Sequence, residues 1–462
     1  MTPTGPLTVE VLRAEDAEAS QRRAAGALLA AGLVPGDRVA FCLHSSSAAL
    51  LCAVLGALRV GVVPVLLNAT LLESERDLLI ADAQPGMVIT DAAQLASLDG
   101  GAPADLAPHP LARPMHYTSG TTGRSKGVWS GLWDVATARA ALADEADQWC
   151  FGPDDVHLVC SPMYHSVSVR FAGGTLLSGG TCVVLGRFDP SIAWQVLRGE
   201  CGAVPTNATP TTTFMAPTAL RRLLDAGDDR GEPLDSLRLL VHAGSPCPAV
   251  LKRRALERVH PGVLWEFYGS TEGQFTACSP EDWLARPGTV GRARAGRSLT
   301  VDGDGTVWCH SPGFARFTYW RNEAATAAAW RDDAFTVGDL GRLEDGFLFL
   351  DGRREDLIIT GGVNVYPAEV EQVLGEVEGV AEAAVFGLAD EEWGQRVCAA
   401  VVPTAAPGSP PASRLLDEVA AFAATRLAGY KRPKQYVVMD KLPRTATGKL
   451  QRSRIPGQVG LD

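Results

Sequence analysis

The chain has 462 residues, which is too many for one ordinary core, so we expect at least two domains. Hydrophobic residues make up 46% of the chain and charged residues 21%, a balance that is typical of globular proteins and excludes a disordered or fibrous one. A net charge of −11 argues against non-specific binding of nucleic acid, which requires clustered lysine and arginine side chains.

The cysteines lie singly along the chain, without a CxxC pair, which argues against zinc ribbons and dithiol redox sites. Many lie in apolar runs, as reduced core cysteines do, so we expect a reducing, cytoplasmic location. Residues 1–20 lack the basic and apolar stretches of a secretory signal, and we expect none. Residues 49–67 are apolar, but Arg59, Gly61 and Pro64 interrupt them, so we predict a buried helix and a buried strand rather than a membrane span.

Helices and strands are predicted to alternate in two regions, residues 20–100 and 155–265. Short turns join them, which is typical of βαβ units with parallel strands, so we predict two α/β lobes. Residues 285–352 have the short strands and turns of a small β-rich subdomain. The predicted fold is α/β, with these three parts in an N-terminal domain (1–354) and a separate α+β C-terminal domain (355–462).

The segment from Tyr117 to Gly127, YTSGTTGRSKG, is the strongest chemical signal in the sequence. Its glycines let backbone N–H groups turn towards an anion, and its hydroxyl and cationic side chains are further donors for phosphate oxygens. The spacing does not fit the GxxxxGK[ST] loop of nucleotide kinases. A flexible polar turn is the alternative interpretation, but the complete string favours a phosphate-binding loop.

Seven segments in one order, this loop among them, resemble the adenylate-forming superfamily of acyl- and aryl-CoA synthetases, carrier-protein-loading adenylation domains and luciferases. The other six are PMYHS (162–166), HAGSPCP (242–248), EFYGSTEG (266–273), TVGDLGRL (336–343), GRREDLIITGGVNVYPAEVE (352–371) and LPRTATGKL (442–450). The resemblance covers nearly the whole chain. It implies a mobile C-terminal domain, and an enzyme that activates a carboxylic acid with ATP and Mg²⁺ and transfers the acyl group to coenzyme A.

The resemblance also implies roles for individual residues. Those implied to bind the nucleotide and its phosphates are Thr118, Ser119, Gly120, Thr121, Thr122, Gly123, Lys126, Gly244, Ser245, Tyr268, Gly269, Asp339 and Arg353. Tyr268 is implied to stack on adenine, and Asp339 to accept hydrogen bonds from the ribose hydroxyls with Arg353 beside it. Thr118 and Glu272 are the implied Mg²⁺ ligands, because a hard cation prefers oxygen donors.

Lys449, His165, Thr271 and Glu272 are the implied catalytic residues. Thr271 is implied to bond to the α-phosphate, and Lys449 to bridge that phosphate and the substrate carboxylate, where a cation offsets the repulsion between like charges. A solvated loop lysine is the alternative interpretation of Lys449. His165 is implied to stand between the acyl pocket and the adenylate, with an ordinary core histidine as the alternative.

Three further residues are implied to serve the change between the two half-reactions. Glu355 is the implied hinge about which the C-terminal domain turns after adenylation, or else an ordinary interdomain charge. Gly361 and Gly362 are implied to line the tunnel for the pantetheine thiol of coenzyme A.

The acyl pocket is expected to be lined by Ser166, Val167, Phe214, Gln274 and Phe275. Arg170 is unusual because it lies within an apolar stretch. Its guanidinium is expected to pair inside the protein, and recognition of a polar acid is the second interpretation.

We therefore predict an acid–thiol ligase of the AMP-forming acyl-CoA synthetase type, acting on a fatty or aryl acid. Its expected partners are a small carboxylic acid and coenzyme A or a carrier protein, without nucleic acid. Alternatives are loading of a carrier-protein phosphopantetheine, adenylation for a non-thiol acceptor, and adenylation of nitrite as in diazotase-like relatives. Outside enzymes, the alternative is an inactive nucleotide-binding relative, which the full set of charged residues argues against.

Overall fold

The computed structural model describes residues 7–118, 125–227, 233–353, 356–361, 363–404, 412–444 and 450–461. The chain divides into two compact units. The first comprises Met1–Cys247, Leu251–Leu299 and Cys309–Phe335, and the second comprises Pro248–Val250, Thr300–Trp308 and Thr336–Asp462. The domain boundary expected after residue 354 stays a prediction, since residues 354 and 355 lie outside the described part of the chain.

Up to residue 335, short strands alternate with helices. The first elements are β1 (Val9–Arg13), α1 (Ala14–Ala30), β2 (Arg38–Phe41), α2 (Ala48–Arg59), β3 (Val63–Leu66), α3 (Glu73–Ala83), β4 (Met87–Ile89), α4 (Ala92–Ser97), β5 (His116–Thr118), β6 (Lys126–Trp129), α5 (Val135–Trp149), β7 (Val156–Val159), α6 (Ser166–Leu177) and β8 (Thr181–Leu185). They are followed by α7 (Pro190–Leu197), β9 (Thr212–Met215), α8 (Pro217–Gly227), β10 (Leu239–His242), α9 (Ala249–Leu256), β11 (Leu264–Glu266), β12 (Thr276–Ala277), α10 (Pro280–Ala285), β13 (Thr289–Ala293), β14 (Ser298–Val301), β15 (Val307–His310), β16 (Thr318–Tyr319), α11 (Glu323–Ala329), β17 (Trp330–Arg331) and β18 (Ala334–Phe335).

Beyond residue 335 the strands are longer and the helices fewer. The elements are β19 (Asp339–Glu344), β20 (Phe347–Arg353), β21 (Ile358–Thr360), β22 (Val363–Val365), α12 (Pro367–Leu374), β23 (Val380–Asp390), β24 (Gly394–Pro403), α13 (Ala412–Arg426), β25 (Gln435–Val438) and α14 (Ile455–Gln458). Short 3₁₀ turns lie at Leu98–Gly100, Thr206–Ala208, Gly313–Ala315 and Arg452–Arg454.

The first lobe is a parallel sheet in the order β3-β2-β4, covered by α1 and α2. Helix α2 is buried along most of its length and is capped by Ser47, whose hydroxyl accepts from the backbone N–H of Leu50. Arg59 ends this helix and donates from Nε to the carbonyl oxygen of Ala107 at 2.8 Å. The predicted buried helix and strand are thus α2 and β3, and none of the described helices is long and apolar enough to cross a membrane.

The second lobe is a six-stranded sheet in the order β1-β8-β7-β9-β10-β11. All its neighbouring strands are parallel except the edge strand β1, which runs antiparallel to β8 and which the sequence pattern does not predict. Apolar residues of this sheet pack on α7, α8 and α9 in one continuous core. The loop after β10 therefore emerges at the carboxyl end of a parallel strand, where ligand sites of α/β sheets lie.

A third small sheet of the first unit, in the order β16-β6-β5, joins residues that are distant in the sequence. Strands β5 and β6 form an antiparallel pair on either side of the predicted phosphate loop. Strand β16 pairs with β6 and places Tyr319 opposite Val128. This pairing sets Tyr319 beside the end of the loop.

The second unit contains the β19–β20 hairpin and a sheet in the order β22-β21-β24-β23, with β25 parallel to β24. Strands β23 and β24 alternate their side chains between two apolar clusters, one of which includes residues of α12 and α13. Together with the two lobes of the first unit and its short strands after residue 285, this architecture confirms the predicted α/β fold class.

Candidate active site

The described ends of the predicted phosphate loop face each other across a strand pair. Thr118, the last residue of β5, pairs with Lys126, the first residue of β6. Ser119, Gly120, Thr121, Thr122 and Gly123 lie outside the described residues. The hairpin therefore fixes one hydroxyl and one cation at the base of the loop.

Glu272 lies at the tip of a tight turn between β11 and β12. The turn is closed by a bridge between Gly269 and Gln274, and the backbone N–H of Ser270 donates to the carbonyl of Gly273 at 2.8 Å. Glu272 is only 5% exposed, and its Oε1 lies 3.5 Å from Oγ1 of Thr118. The turn thus brings a buried carboxylate to the base of the phosphate loop.

Tyr319 connects this carboxylate to the loop. Its hydroxyl donates to Oε1 of Glu272 at 2.9 Å, and the ammonium of Lys126 lies 4.8 Å from the centre of its ring, within cation–π range. Sequence reasoning missed Tyr319, because no motif that points to phosphate binding includes it. Its position follows from the pairing of β16 with β6.

The residues present fit a magnesium ion that is shared with a nucleotide. No described residue donates a hydrogen bond to Oε2 of Glu272, while Thr118 adds a hydroxyl oxygen nearby. Within the described parts of the chain, no three or more His, Cys, Asp or Glu side chains form a metal cluster. Mg²⁺ typically takes one or two carboxylates and completes its octahedron with phosphate oxygens and water, which suits this donor set.

Arg113 supports the backbone of the Glu272 turn. Its Nη1 donates to the carbonyl of Glu272 at 3.1 Å, and its Nη2 lies 3.5 Å from the carbonyl of Ala315. Burial is the main cause that lowers the pKa of Arg113 to about 10, and the nearby positive charge of Arg170 lowers it further. Arg113 therefore stays charged at neutral pH and stabilises the turn through its hydrogen bond to the backbone carbonyl of Glu272.

The residues implied to bind adenine lie after β10 and β11. Gly244 has φ +92°, a left-handed conformation that favours glycine, and Ser245 beside it is half-buried. The ring of Tyr268 is 8% exposed and packs on Phe275, with 4.8 Å between the ring centres. Phe275 has no accessible surface and contacts the rings of both Tyr268 and Phe335. It therefore packs Tyr268 against the protein interior. Its expected place in the acyl pocket stays a prediction.

The residues expected around the acyl group lie at the start of α6 and next to it. His165 is the N-cap residue of α6, and its ring centre lies 4.6 Å from that of Tyr164. Ser166 and Val167, the first residues of the helix, are half-buried. Phe214 on β9 is buried in an aromatic cluster, 6.1 Å from the ring of Phe267.

Gln274 belongs to a buried polar network, and its expected place in the acyl pocket stays a prediction. Its amide donates to Oε1 of Glu145 and accepts from Nη1 of Arg294. Arg294 also donates to Asp144 at 2.9 Å, and Arg297 donates to both carboxylate oxygens of Asp144 at 2.8 and 3.0 Å. Sequence analysis names Gln274 as a candidate site residue but not the arginines and acids that contact it.

In the second unit, Asp339 and Arg353 form a cross-strand ion pair. The register of β19 and β20 places them opposite each other, and Nε of Arg353 donates to Oδ1 of Asp339 at 3.0 Å. Asp339 is 8% exposed, so its carboxylate is buried and held by a cation. Asp339 and Arg353, which the resemblance implies to bind the ribose, therefore lie next to each other.

Gly361, at the end of β21, has a position that only glycine fits. Its φ is +58°, and a Cβ atom there would come within 2.7 Å of the Trp393 ring. Its backbone N–H donates to the carbonyl of Trp393 at 2.8 Å. Glu355, Gly362 and Lys449 lie outside the described residues.

Two family models match most of the chain. A model described as "AMP-binding enzyme" matches residues 14–113 and 102–313, and one described as "AMP-binding enzyme C-terminal domain" matches residues 369–449. Among curated relatives, the chain is 31% identical to 2-succinylbenzoate–CoA ligase of Listeria monocytogenes over 96% of this chain and 93% of the relative. It is also 31% identical to indoleacetate–CoA ligase of Aromatoleum aromaticum over 94% of this chain and 90% of the relative.

A solved structure has the same fold. The o-succinylbenzoate CoA synthetase of Bacillus subtilis in complex with its acyl-adenylate intermediate superimposes with a TM-score of 0.81 and 28% identity, covering 96% of this chain and 92% of the other. The same enzyme in complex with ATP and magnesium ion gives a TM-score of 0.79. The prediction of an acid–thiol ligase of the AMP-forming type is confirmed by these relatives. The chain therefore belongs to the AMP-binding enzyme family, the adenylate-forming superfamily that its seven motifs resemble.

Proposed function

We propose that the protein activates a carboxylic acid with ATP to an acyl-adenylate and transfers the acyl group to coenzyme A. The observation that carries this proposal is the buried Glu272 carboxylate, with Thr118, Lys126 and Tyr319 around it at the base of the phosphate loop. The curated relatives support it as well, since both are named as CoA ligases.

In the first half-reaction, one oxygen of the substrate carboxylate bonds to the α-phosphorus of ATP. The bond from that phosphorus to the oxygen that bridges to the β-phosphate breaks, and pyrophosphate leaves. Phosphoryl and nucleotidyl transfer depend mainly on positioning and on cations that balance the phosphate charge. We assign positioning to the loop 118–126 and to Thr271, and assign to Lys449 the cation between the carboxylate and the α-phosphate.

Glu272 and Thr118 are the residues that hold Mg²⁺ in this proposal. The bound ion neutralises charge on the phosphate oxygens. Tyr319 donates to Glu272 and so fixes the direction of its carboxylate, while Lys126 contributes a second positive charge. In the second unit, Asp339 accepts hydrogen bonds from the ribose hydroxyls, and the hydrogen bond from Arg353 holds that carboxylate in place.

In the second half-reaction, the thiol sulfur of coenzyme A bonds to the acyl carbon. The bond from that carbon to the oxygen of AMP breaks, AMP leaves and the thiol proton passes to water. Gly361 and Gly362 are assigned to the path of the pantetheine arm, where a side chain at Gly361 would collide with Trp393. Glu355 is the proposed hinge about which the C-terminal domain turns after the first half-reaction.

The test is a panel of carboxylic acids, assayed for pyrophosphate release with ATP and Mg²⁺ and for AMP release with and without coenzyme A. We expect acid-dependent pyrophosphate and a coenzyme A-dependent increase in AMP turnover. Parallel arms offer a phosphopantetheinylated carrier protein, an amine acceptor, and nitrite in place of the acid. Turnover with one of these but not with coenzyme A would contradict the proposed acceptor, and binding of ATP without any acid-dependent pyrophosphate would contradict the enzyme.

A further inference from the structure

Arg170 has an unusual place on α6. It lies one helical turn after Ser166, so both side chains share a face of the helix. Side chains in a helix generally lean towards its N-terminus, and the N-terminal end of α6 carries His165 and Ser166, where the acyl group is expected. Its guanidinium carbon lies 5.2 Å from the ring centre of Phe267.

Among the described residues, the guanidinium of Arg170 has one polar contact, and that contact is long. Its Nε lies 3.5 Å from Oε2 of Glu145, without the geometry of a hydrogen bond, and that nitrogen is shut off from water. No described residue accepts a hydrogen bond from the terminal Nη groups, and 21% of the side chain is accessible. A guanidinium normally makes paired hydrogen bonds when it is this far buried.

The neighbouring carboxylates are already used by other arginines. Asp144 accepts from both Arg294 and Arg297, and Glu145 accepts from Arg294 and from the amide of Gln274. Three guanidiniums, those of Arg170, Arg294 and Arg297, therefore face two carboxylates, which leaves one positive charge in excess. Arg170 is the cation left without a hydrogen-bonded acid.

The surroundings of Arg170 coincide with the expected acyl pocket. Ser166 and Val167 lie on the same helix, Phe214 packs on the Phe267 ring that Arg170 covers, and Gln274 shares Glu145 with it. Burial is the main cause that lowers the pKa of Arg170, although an arginine stays charged at neutral pH. A buried guanidinium without a hydrogen-bonded acid costs stability, which an anionic ligand at this position would offset.

We infer that the acid which this enzyme activates is a dicarboxylic acid, whose second carboxylate binds the guanidinium of Arg170 through paired hydrogen bonds. The inference rests on the proposed function, because it names the class of acid that enters the same site. One carboxylate reacts with ATP and the other stays ionised against Arg170. Planar, forked pairing of guanidinium with carboxylate provides both the charge balance and the orientation.

The experiment compares matched acids by kcat/KM for pyrophosphate release: succinate with succinamate and butyrate, glutarate with valerate, and phthalate with benzoate. Wild type is expected to favour one dicarboxylate over its neutral analogues by about 10- to 100-fold, the size of a hydrogen-bonded charge. Arg170→Gln is expected to lose that preference and keep its activity with the neutral analogue. Arg170→Lys is expected to retain part of it, and the exposed control Arg414→Gln all of it.

The outcomes separate this inference from the function on which it rests. Higher efficiency of wild type with the monocarboxylic acids than with every dicarboxylic acid would overturn the inference and leave the proposed function intact. An equal loss for charged and neutral acids in a folded Arg170→Gln protein would also overturn it. Absence of pyrophosphate with every acid would contradict the proposed function itself. Because the wild-type comparison needs no variant, an unfolded Arg170→Gln would not prevent a decision.

Discussion

The hydroxyl of Tyr319 donates to Oε1 of Glu272 at 2.9 Å, inside the protein and across 47 residues of sequence. The same tyrosine presents its ring to the ammonium of Lys126. One side chain therefore orients the carboxylate assigned to Mg²⁺ and contacts a cation of the phosphate loop. A substitution of this tyrosine should therefore raise the Mg²⁺ requirement of the enzyme more than it lowers the stability of the fold.

Replacing Tyr319 by Phe removes the hydrogen bond and keeps the ring. We expect about a 10-fold loss of ATP–pyrophosphate exchange efficiency, the value of one hydrogen bond to a charged group, with a higher Mg²⁺ requirement. Tyr319→Leu also removes the cation–π contact and should lose about 100-fold. Tyr430→Phe, at an exposed position, is the control. A Mg²⁺ dependence of Tyr319→Phe that matches the control would exclude the orienting role.

The ion pair of Asp339 and Arg353 gives a prediction about recognition of the ribose hydroxyls of ATP. Asp339→Asn should weaken ATP binding by about 10- to 100-fold, because a buried charged acceptor is lost. The variant should discriminate less than wild type between ATP and 2′-deoxyATP, since the 2′-hydroxyl would no longer meet a carboxylate. Asp351→Asn, on the strand β20 that carries Arg353, serves as the control. Undiminished discrimination against 2′-deoxyATP in Asp339→Asn would place the ribose elsewhere.

Buried His116 predicts a loss of stability in mild acid. Burial is the main cause that lowers its pKa to about 4, below the ordinary value of about 6.5. The unfolded chain then binds a proton at a higher pH than the folded chain, so this stabilisation is complete above about pH 6.5 and is lost as the pH falls towards about 4. The loss for this one residue is about 2 kcal/mol between pH 7 and pH 5.

The measurement is the urea midpoint of the ligand-free protein at several pH values in that window. His116→Asn should show a shallower dependence on pH than wild type, whatever its absolute stability. His260→Asn is the control, because 62% of the His260 side chain is exposed. If His116→Asn and wild type had equal slopes, the buried histidine would not be the source of the dependence.

Lys449 gives a prediction that separates the two half-reactions. Lys449→Ala should lose about 1000-fold in pyrophosphate exchange, since a cation at the reacting phosphate typically contributes several kcal/mol. Thioester formation from pre-made acyl-adenylate and coenzyme A should change by only a few-fold, because that step needs no cation at the α-phosphate. The neighbouring exposed Lys441→Ala should leave both reactions intact. An equal loss of both half-reactions in Lys449→Ala would remove the assigned role.

Much of this fold could be predicted from local patterns. The apolar run at residues 49–67 predicts α2 and β3, because its interrupting residues divide it at the turn. The mainly apolar sequences of β23 and β24 are typical of strands that are covered on both faces, as these two strands are. Edge strand β1 could not be predicted, since its place depends on pairing with β8, far along the chain.

Some residues of the candidate site could be predicted from the sequence, and others could not. Motif residues such as Thr118, Glu272 and Asp339 could be proposed from the sequence, because each lies in a short segment that resembles the family. Arg113 could not, because its bond to the carbonyl of Glu272 spans 159 residues and depends on how the sheets pack. The excess charge at Arg170 likewise emerges only when the partners of the surrounding acids are known.

The most direct test of the central claim uses an acid that wild type accepts, labelled with ¹⁸O in its carboxylate. If that carboxylate attacks the α-phosphorus of ATP, one labelled oxygen stays with AMP after transfer to coenzyme A. We expect AMP that carries one ¹⁸O atom, measured by mass spectrometry, together with unlabelled pyrophosphate. Unlabelled AMP, or ADP with the label in inorganic phosphate, would contradict an acyl-adenylate intermediate.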